Sequence, residues 1–279
     1  MKVASAPSRP ITRYYGGKFK LAPWIISHFP PHQSYVEPCG GGASVLLQKK
    51  RSPLEIYNDI YAEVVNFFKV LRDQPADLVR QVTLTPWARD EYELSKLPCT
   101  DNLEKARRFF MGNILSISGN PKSSGFRVMK DAKNAGDRIA SVIDQMEITA
   151  ARLTSTPKSM IQIENDTYER IIDRFDGSKT LFYFDPPYVH SERSSVKEYE
   201  FEWTDGDHKK SAELLNQVRG CVVVSGYACP LYADLYEAHG WDRIDKKAQT
   251  NSGGERIESL WLSPRTTKAL NRPVQTGLF

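Results

Sequence analysis

The chain has 279 residues, 40% of them apolar and 26% charged, with a formal net charge of +4 at pH 7. Those proportions are ordinary for a folded protein and exclude a chain disordered throughout. The small basic excess permits a polyanionic partner without requiring one, and the length suits one α/β domain carrying an inserted subdomain.

Residues 18–28 place apolar side chains at helical spacing, and Ser34–Glu37 is a short strand that runs into Gly40, Gly41 and Gly42. A helix over 43–49, a strand at Leu54–Asn58 and a helix over 60–72 follow, the last with Ile60, Val64, Phe67, Phe68 and Leu71 on one face. This is the strand, glycine turn, helix, strand rhythm of a nucleotide-binding α/β unit. From 75 to 153 the pattern is helical, broken by a polar stretch at 116–136. Strand signals resume at 160–163, 181–184, 222–225, 242–246 and 257–262. One sheet is thus split by a helical insertion, and residues 264–279 read as a tail outside the fold.

Four cysteines, Cys39, Cys99, Cys221 and Cys229, stand far apart with no histidine at zinc-ligand spacing, so no metal site is expected. No apolar run has the length of a signal peptide core or a membrane span. A soluble, cytoplasmic protein with no membrane partner is the expectation.

Glycines directly after a strand let the backbone turn tightly and approach a ligand. The dinucleotide pattern G-x-G-x-x-G fits Gly40 and Gly42 but meets Val45 at its third position, and Gly16-Gly17-Lys18-Phe19 lacks the spacing and hydroxyl of a phosphate-binding loop. Glu37 and Asp59 end the first two strands, at the edge where open α/β sheets bind ligands. Carboxylates there suit a cationic ligand with a ribose, which favours S-adenosylmethionine over a pyrophosphate. Taken alone, Asp59 also reads as a helix N-cap and the glycines as an ordinary turn.

The most informative segment is Asp185-Pro186-Pro187-Tyr188, delivered to the same edge by an apolar strand. The exocyclic amine of adenine is a poor nucleophile because its lone pair is delocalised into the ring. The Asp185 carboxylate and the Pro186 carbonyl can accept its two hydrogens and aim the lone pair at a methyl carbon. Prolines stiffen the turn, and Tyr188 offers a ring on which an extruded base can stack.

Tyr14-Tyr15-Gly16-Gly17-Lys18, Val36-Glu37-Pro38-Cys39-Gly40-Gly41-Gly42, Asn58-Asp59 and Asp185-Pro186-Pro187-Tyr188, in that order, resemble the motifs of the Dam-type (D12 class) DNA adenine-N6 methyltransferases. The resemblance covers residues 11–263. It implies a Rossmann-like S-adenosylmethionine-dependent methyltransferase sheet split as 11–69 and 153–263, an inserted helical target-recognition domain at 70–152 and a flexible tail at 264–279. It further implies that Tyr14 and Lys18 close over the cofactor beside Glu37, Gly40 and Gly42, that Asp59 holds the ribose, and that Asp185 lies between the methionine moiety and the target amine. Asp166 matches the place of a contact to the cofactor's adenine, although an N-cap for the helix from Thr167 explains it equally well. The implied partner is double-stranded DNA with the target base flipped.

Lys122, Arg127, Lys130, Lys133 and Arg138 stand in the insertion among Asn120, Phe126, Asp131, Asn134 and Asp137. Such residues position phosphates and read base edges; read alone, the segment is equally a solvated loop. It departs from the pattern of the GATC-specific members, so the recognised sequence stays open. Residues 190–200 are polar, as suits a loop closing over a flipped base, with His190 a bystander or phosphate contact rather than a general base. Other readings are an RNA adenine or protein glutamine methyltransferase, which usually carry Asn at the first motif position, and a catalytically silent DNA-binding relic of the fold. Gln275, Leu278 and Phe279 resemble the Gln-x-x-Leu-Phe peptides that dock on bacterial sliding clamps, against the plainer reading of a frayed terminus.

Overall fold

A computed structural model describes residues 6–12, 16–129, 132–189, 201–249 and 255–271 of the chain. Seven strands form one sheet: β1 (Ser34–Glu37), β2 (Leu54–Asn58), β3 (Met160–Glu164), β4 (Thr180–Phe184), β5 (Cys221–Gly226), β6 (Asp242–Gln249) and β7 (Glu255–Leu262), in the order β3-β2-β1-β4-β5-β7-β6. The first five in that order run parallel, and the β6–β7 hairpin closes the edge antiparallel to β5. Strand order reverses between β1 and β4. Open α/β sheets bind ligands at the carboxyl ends flanking such a switch, and Glu37 and Asp185 stand there.

Period-two alternation assigns the two faces. Tyr35, Tyr57, Leu181, Tyr183 and Val223 join one apolar cluster, while Val36, Ile56, Phe182, Phe184, Val222 and Val224 join the other. Every residue of β4 is buried, as befits a central strand covered on both faces. The second cluster is closed by α8 (Tyr168–Phe175), α9 (Asp205–Gln217) and α10 (Pro230–Leu235). The first is closed by α1 (Ala22–Ser27), α2 (Ser44–Gln48) and α3 (Ala62–Asp73), and then by the inserted helices α4 (Pro75–Leu84), α5 (Arg89–Leu94), α6 (Asn102–Leu115) and α7 (Ala132–Leu153). Phe67 of α3 stacks on Phe110 of α6 at 5.8 Å, so the insertion shares one core with the sheet. No helix among the described residues is long and apolar enough to cross a membrane.

Three expectations are corrected. The helix expected over 60–72 begins at Ala62 because the Asp59 carboxylate takes the Tyr61 N–H at 2.8 Å, an Asx turn that precedes the helix. The polar stretch 116–136 is helical from Ala132 onward. The segment read as a tail begins with a docked helix, α11 (Pro264–Leu270). Ser263 caps it, proline occupies its first turn, and the buried Thr266 hydroxyl accepts from Val222 N and donates to Val222 O, both at 2.9 Å. A Ser-Pro helix start was present in the sequence; the strand-end partner was not visible there.

A buried ion cluster joins the insertion to the sheet. Glu55, fully buried in β2, accepts from Arg152 at 2.6 and 3.0 Å and from Lys49 at 2.7 Å, and Arg152 also donates to Leu46 O at 2.6 Å. Burial alone would raise the Glu55 carboxyl; the two cations outweigh it and hold it below its ordinary value. Its contribution to stability is therefore complete above the ordinary carboxylate range and is lost as pH falls through the depressed value. Arg152→Ala is expected to lower unfolding free energy by about 3 kcal/mol, the order seen when one partner of a buried pair is removed. Denaturant titration checks this, and a loss near zero would deny the cluster a structural role.

Candidate active site

The carboxyl ends of β1, β2 and β3 are tied by one buried side chain. Asn58 donates its amide to Pro38 O at 2.7 Å and to Asp166 O at 2.9 Å, and accepts from Asp166 N at 2.9 Å. Gly40 N closes on Asn58 O at 2.7 Å. A Cβ at Gly40 would sit 2.4 Å from the Tyr57 ring and 3.0 Å from Asn58 O, so only glycine fits. Gly41 adopts a positive φ of 47° and turns its N–H toward Asp59 Oδ2 at 2.7 Å, while its carbonyl accepts the Tyr57 hydroxyl at 2.7 Å.

This turn floors a cavity of about 560 Å³, the size of a cofactor site. Glu37, Gly40, Gly42, Asp59, Asp166, Asp185, Pro187 and Lys18 all line it. Burial raises the Asp59 carboxyl to about 6 against the pull of the Tyr61 and Gly41 N–H groups. Asp166 Oδ1 accepts from Thr167 N at 2.9 Å, and its Oδ2 accepts from Arg174 at 3.1 Å. It is not the N-cap of α8, because Thr167 holds that position without a side-chain bond.

Asp185 is reached by two donors. Ser225 Oγ lies 2.7 Å and Lys18 Nζ 3.2 Å from its Oδ1. Lys18 is buried, also donates to Gly16 O at 2.8 Å, and sits 4.4 Å above the Tyr188 ring. Burial alone would lower its pKa; Asp185 and Glu258 outweigh that and raise it. The expectation of Tyr188 as an open stacking platform is corrected. Tyr188 is 4% exposed, its hydroxyl donates to Glu258 at 2.9 Å and its ring meets Tyr227 edge-on at 4.6 Å, so packing fixes it beneath the site. Pro186 is likewise buried.

Besides Tyr183 of β4, the rings that line the cavity among the described residues are Tyr61, Phe109, Tyr168, Phe201 and Trp203, and none of these five was singled out from the sequence. They come from the N-cap of α3, from α6 and α8, and from the segment before α9, so no local motif unites them. Gly41 and Asn58 were missed as working parts in the same way, although both lie inside quoted motifs.

The basic residues separate. Lys122 lines the cavity and lies 5.6 Å from the Tyr61 ring. Arg127 does not point away as a phosphate contact would. Its guanidinium bonds Ser116 O at 3.1 Å and Ile117 O, and its backbone takes the Trp87 indole at 2.9 Å and reaches Leu115 O at 2.6 Å, which pins the strap bridged at Ser116 and Phe126. Lys133 and Arg138 are placed on α7 by backbone alone. Tyr14, Lys130, His190 with the loop after it, Gln275, Leu278 and Phe279 lie outside the described residues. Lys105 and Arg108 of α6, not anticipated, also line the cavity.

Glu37 braces the glycine turn. Its Oε1 accepts the Tyr35 hydroxyl at 2.6 Å and Leu46 N at 2.7 Å, which anchors α2 to β1. Burial raises its carboxyl from 4.5 to about 8. The folded state thus holds this proton more tightly than the unfolded chain does. The stability so gained is complete below the ordinary value and is lost as pH rises through about 8. Glu37→Gln, which keeps the accepting oxygen, is expected to flatten the fall in melting temperature over that range. An unchanged slope in the variant would contradict the assignment.

Comparison with known proteins places these residues in context. The model of the D12 class N6 adenine-specific DNA methyltransferases matches residues 14–251. The type II methyltransferase M.MjaIII of Methanocaldococcus jannaschii is 21% identical over 283 residues, covering 89% of this chain and 94% of its own. The type II methyltransferase M1.LlaDCHI of Lactococcus lactis subsp. cremoris is 24% identical over 280 residues, covering 90% and 94%. Among solved structures, the rRNA methyltransferase aviRa of Streptomyces viridochromogenes overlays 94% of this chain and 88% of its own at 13% identity, with a TM-score of 0.39.

Proposed function

We propose, for a chain that belongs to the D12 class of N6 adenine-specific DNA methyltransferases, that it transfers a methyl group from S-adenosylmethionine to N6 of an adenine flipped out of duplex DNA. The observation that carries this reading is the division of charge around one cavity. The sheet edge supplies Asp59, Asp166 and Asp185, the last paired with Lys18, and α8 adds Glu169, whereas the insertion supplies Lys96, Lys105, Arg108 and Lys122. An acidic floor suits a cationic cofactor and an amine; a basic rim suits phosphates.

The residues present fit the cofactor. Bound S-adenosylmethionine supplies a methyl group activated by its sulfonium. Asp59, whose oxygens each already take one backbone N–H, retains lone pairs for ribose hydroxyls. The Gly40 backbone packs closely on Tyr57 and Asn58, which sets the turn that lines the cavity, and Asp166 borders the same space. Asp185 and the Pro186 carbonyl accept the hydrogens of the target amine, which restores nitrogen lone-pair density for in-line attack. Lys18 holds the charge of Asp185 at the switch point between β1 and β4. Tyr61, Phe201 and Trp203 are the rings available to stack an extruded base, the part first expected of Tyr188. The inserted helices at 70–152 serve as the target-recognition domain.

Purified chain, S-adenosylmethionine carrying a labelled methyl group, and either duplex DNA, RNA or protein test the reading. Label is expected on adenine N6 of duplex DNA, and Asp185→Ala is expected to slow transfer on the order of 100-fold or more. Label on RNA or on protein glutamine instead, or full activity in the variant, would overturn it. On the binding side, Lys122→Ala is expected to weaken duplex binding and make its salt dependence shallower by about one counterion. Arg127→Ala is expected to act chiefly on stability, because its guanidinium holds the strap. An unchanged salt slope for the Lys122 variant would move the DNA surface elsewhere.

A further inference from the structure

The catalytic carboxylate is oriented from the neighbouring strand. Phe184 of β4 pairs with Val224 of β5, so Asp185 and Ser225 come next in register. Tyr183 and Asp185, two residues apart, address the same side of the sheet. Ser225 is 2% exposed, and its Oγ lies 2.7 Å from Asp185 Oδ1 and 3.0 Å from the Tyr183 hydroxyl. An ionised carboxylate has no hydrogen to give, so the Ser225 hydrogen goes to Asp185. Tyr183 must then donate its own to Ser225. Burial, with the charge of Asp185 adding to it, raises the pKa of that phenol well above the ordinary value, which keeps it a donor.

Lys18 approaches the same carboxylate oxygen at 3.2 Å. Oδ1 therefore carries two donors from two separate parts of the chain. Oδ2 has no hydrogen-bond partner among the described residues, and Asp185 lines the cavity. Two anchors on one oxygen fix the carboxylate plane and leave the other oxygen presented.

We propose that Ser225, held by Tyr183, is a positioning residue for methyl transfer that fixes Asp185 through Oδ1 so that Oδ2 accepts the hydrogen of the target amine. The proposal rests on the adenine-amine reading above. Lys18 supplies charge, and Ser225 supplies direction. The serine donates along one short hydrogen bond from a strand, whereas the lysine amine reaches from a loop and divides its donors between Asp185 and Gly16.

The test uses the full chain and the variants Ser225→Ala, Ser225→Thr and Tyr183→Phe. Single-turnover transfer is measured at saturating S-adenosylmethionine and duplex DNA, and dissociation constants for S-adenosylhomocysteine and for DNA are measured separately. Ser225→Ala is expected to slow transfer on the order of 10-fold to 100-fold, the range for a lost hydrogen bond to a charged group, with both dissociation constants unchanged. Ser225→Thr, which keeps the hydroxyl, is expected to restore the rate, and Tyr183→Phe to show a smaller loss. A wild-type rate in Ser225→Ala, or equal slowing in the Ala and Thr variants with binding intact, would overturn the proposal. If Ser225→Ala does not fold, Tyr183→Phe decides, and a wild-type rate there overturns it. Adenine methylation by the unaltered chain in the same assay separates failure of this proposal from failure of the function it rests on.

Discussion

The site depends on one buried amide. Asn58 is fully buried at the end of β2, where it bonds the carbonyl after β1 and both backbone groups of Asp166, two residues beyond β3. Its carboxamide is the one side-chain type that can donate twice and accept at once in this space. Without it, the buried Pro38 carbonyl would lose this partner, at a cost of about 1–3 kcal/mol, and the half-buried Asp166 backbone would lose its tie to β2. With it, the glycine turn, Asp59 and Asp166 form a single rigid floor. The turn that carries Asp185 then needs only the register of β4 beside β1 to stand across from that floor.

On this floor the electrostatics are sorted by element. Strand ends contribute carboxylates, and burial raises two of them, Glu37 and Asp59, toward neutral pH. A cationic ligand offsets that cost, since a positive charge nearby favours the ionised form. Asp185 already has its cation in Lys18. The insertion brings the opposite sign, from α6 and from the loops at Lys96 and Lys122, while its helices share the apolar core of the sheet. In the proposed reading, this shared core fixes the insertion relative to Asp185, which suits positioning a polyanion over the reaction centre.

What could be read in the sequence was what repeats or abuts. Period-two and helical spacing pointed to the strands and the helical insertion, and strands leading into Gly40–Gly42, Asp59 and Asp185 pointed to the sheet edge that borders the cavity. What could not be read were bonds between distant residues. Ser225 is an ordinary strand serine until β5 is set beside β4, and Arg127 is an ordinary basic residue until Ser116 folds back to it. Tyr188 reads as a stacking ring from its place in the motif, yet Glu258 and Tyr227, from far along the chain, enclose it. Helix α11 had a clear start signal, but too short an apolar pattern to outweigh its place near the end of the chain.

The claim on which everything above converges is that this chain marks adenine in DNA. Base-resolution sequencing of N6-methyladenine in DNA from a host that lacks the modification, with and without the expressed chain, tests it most directly. The account predicts methylated adenines confined to one recurring sequence context and dependent on expression. DNA free of N6-methyladenine, with the expressed chain folded and abundant, would contradict it.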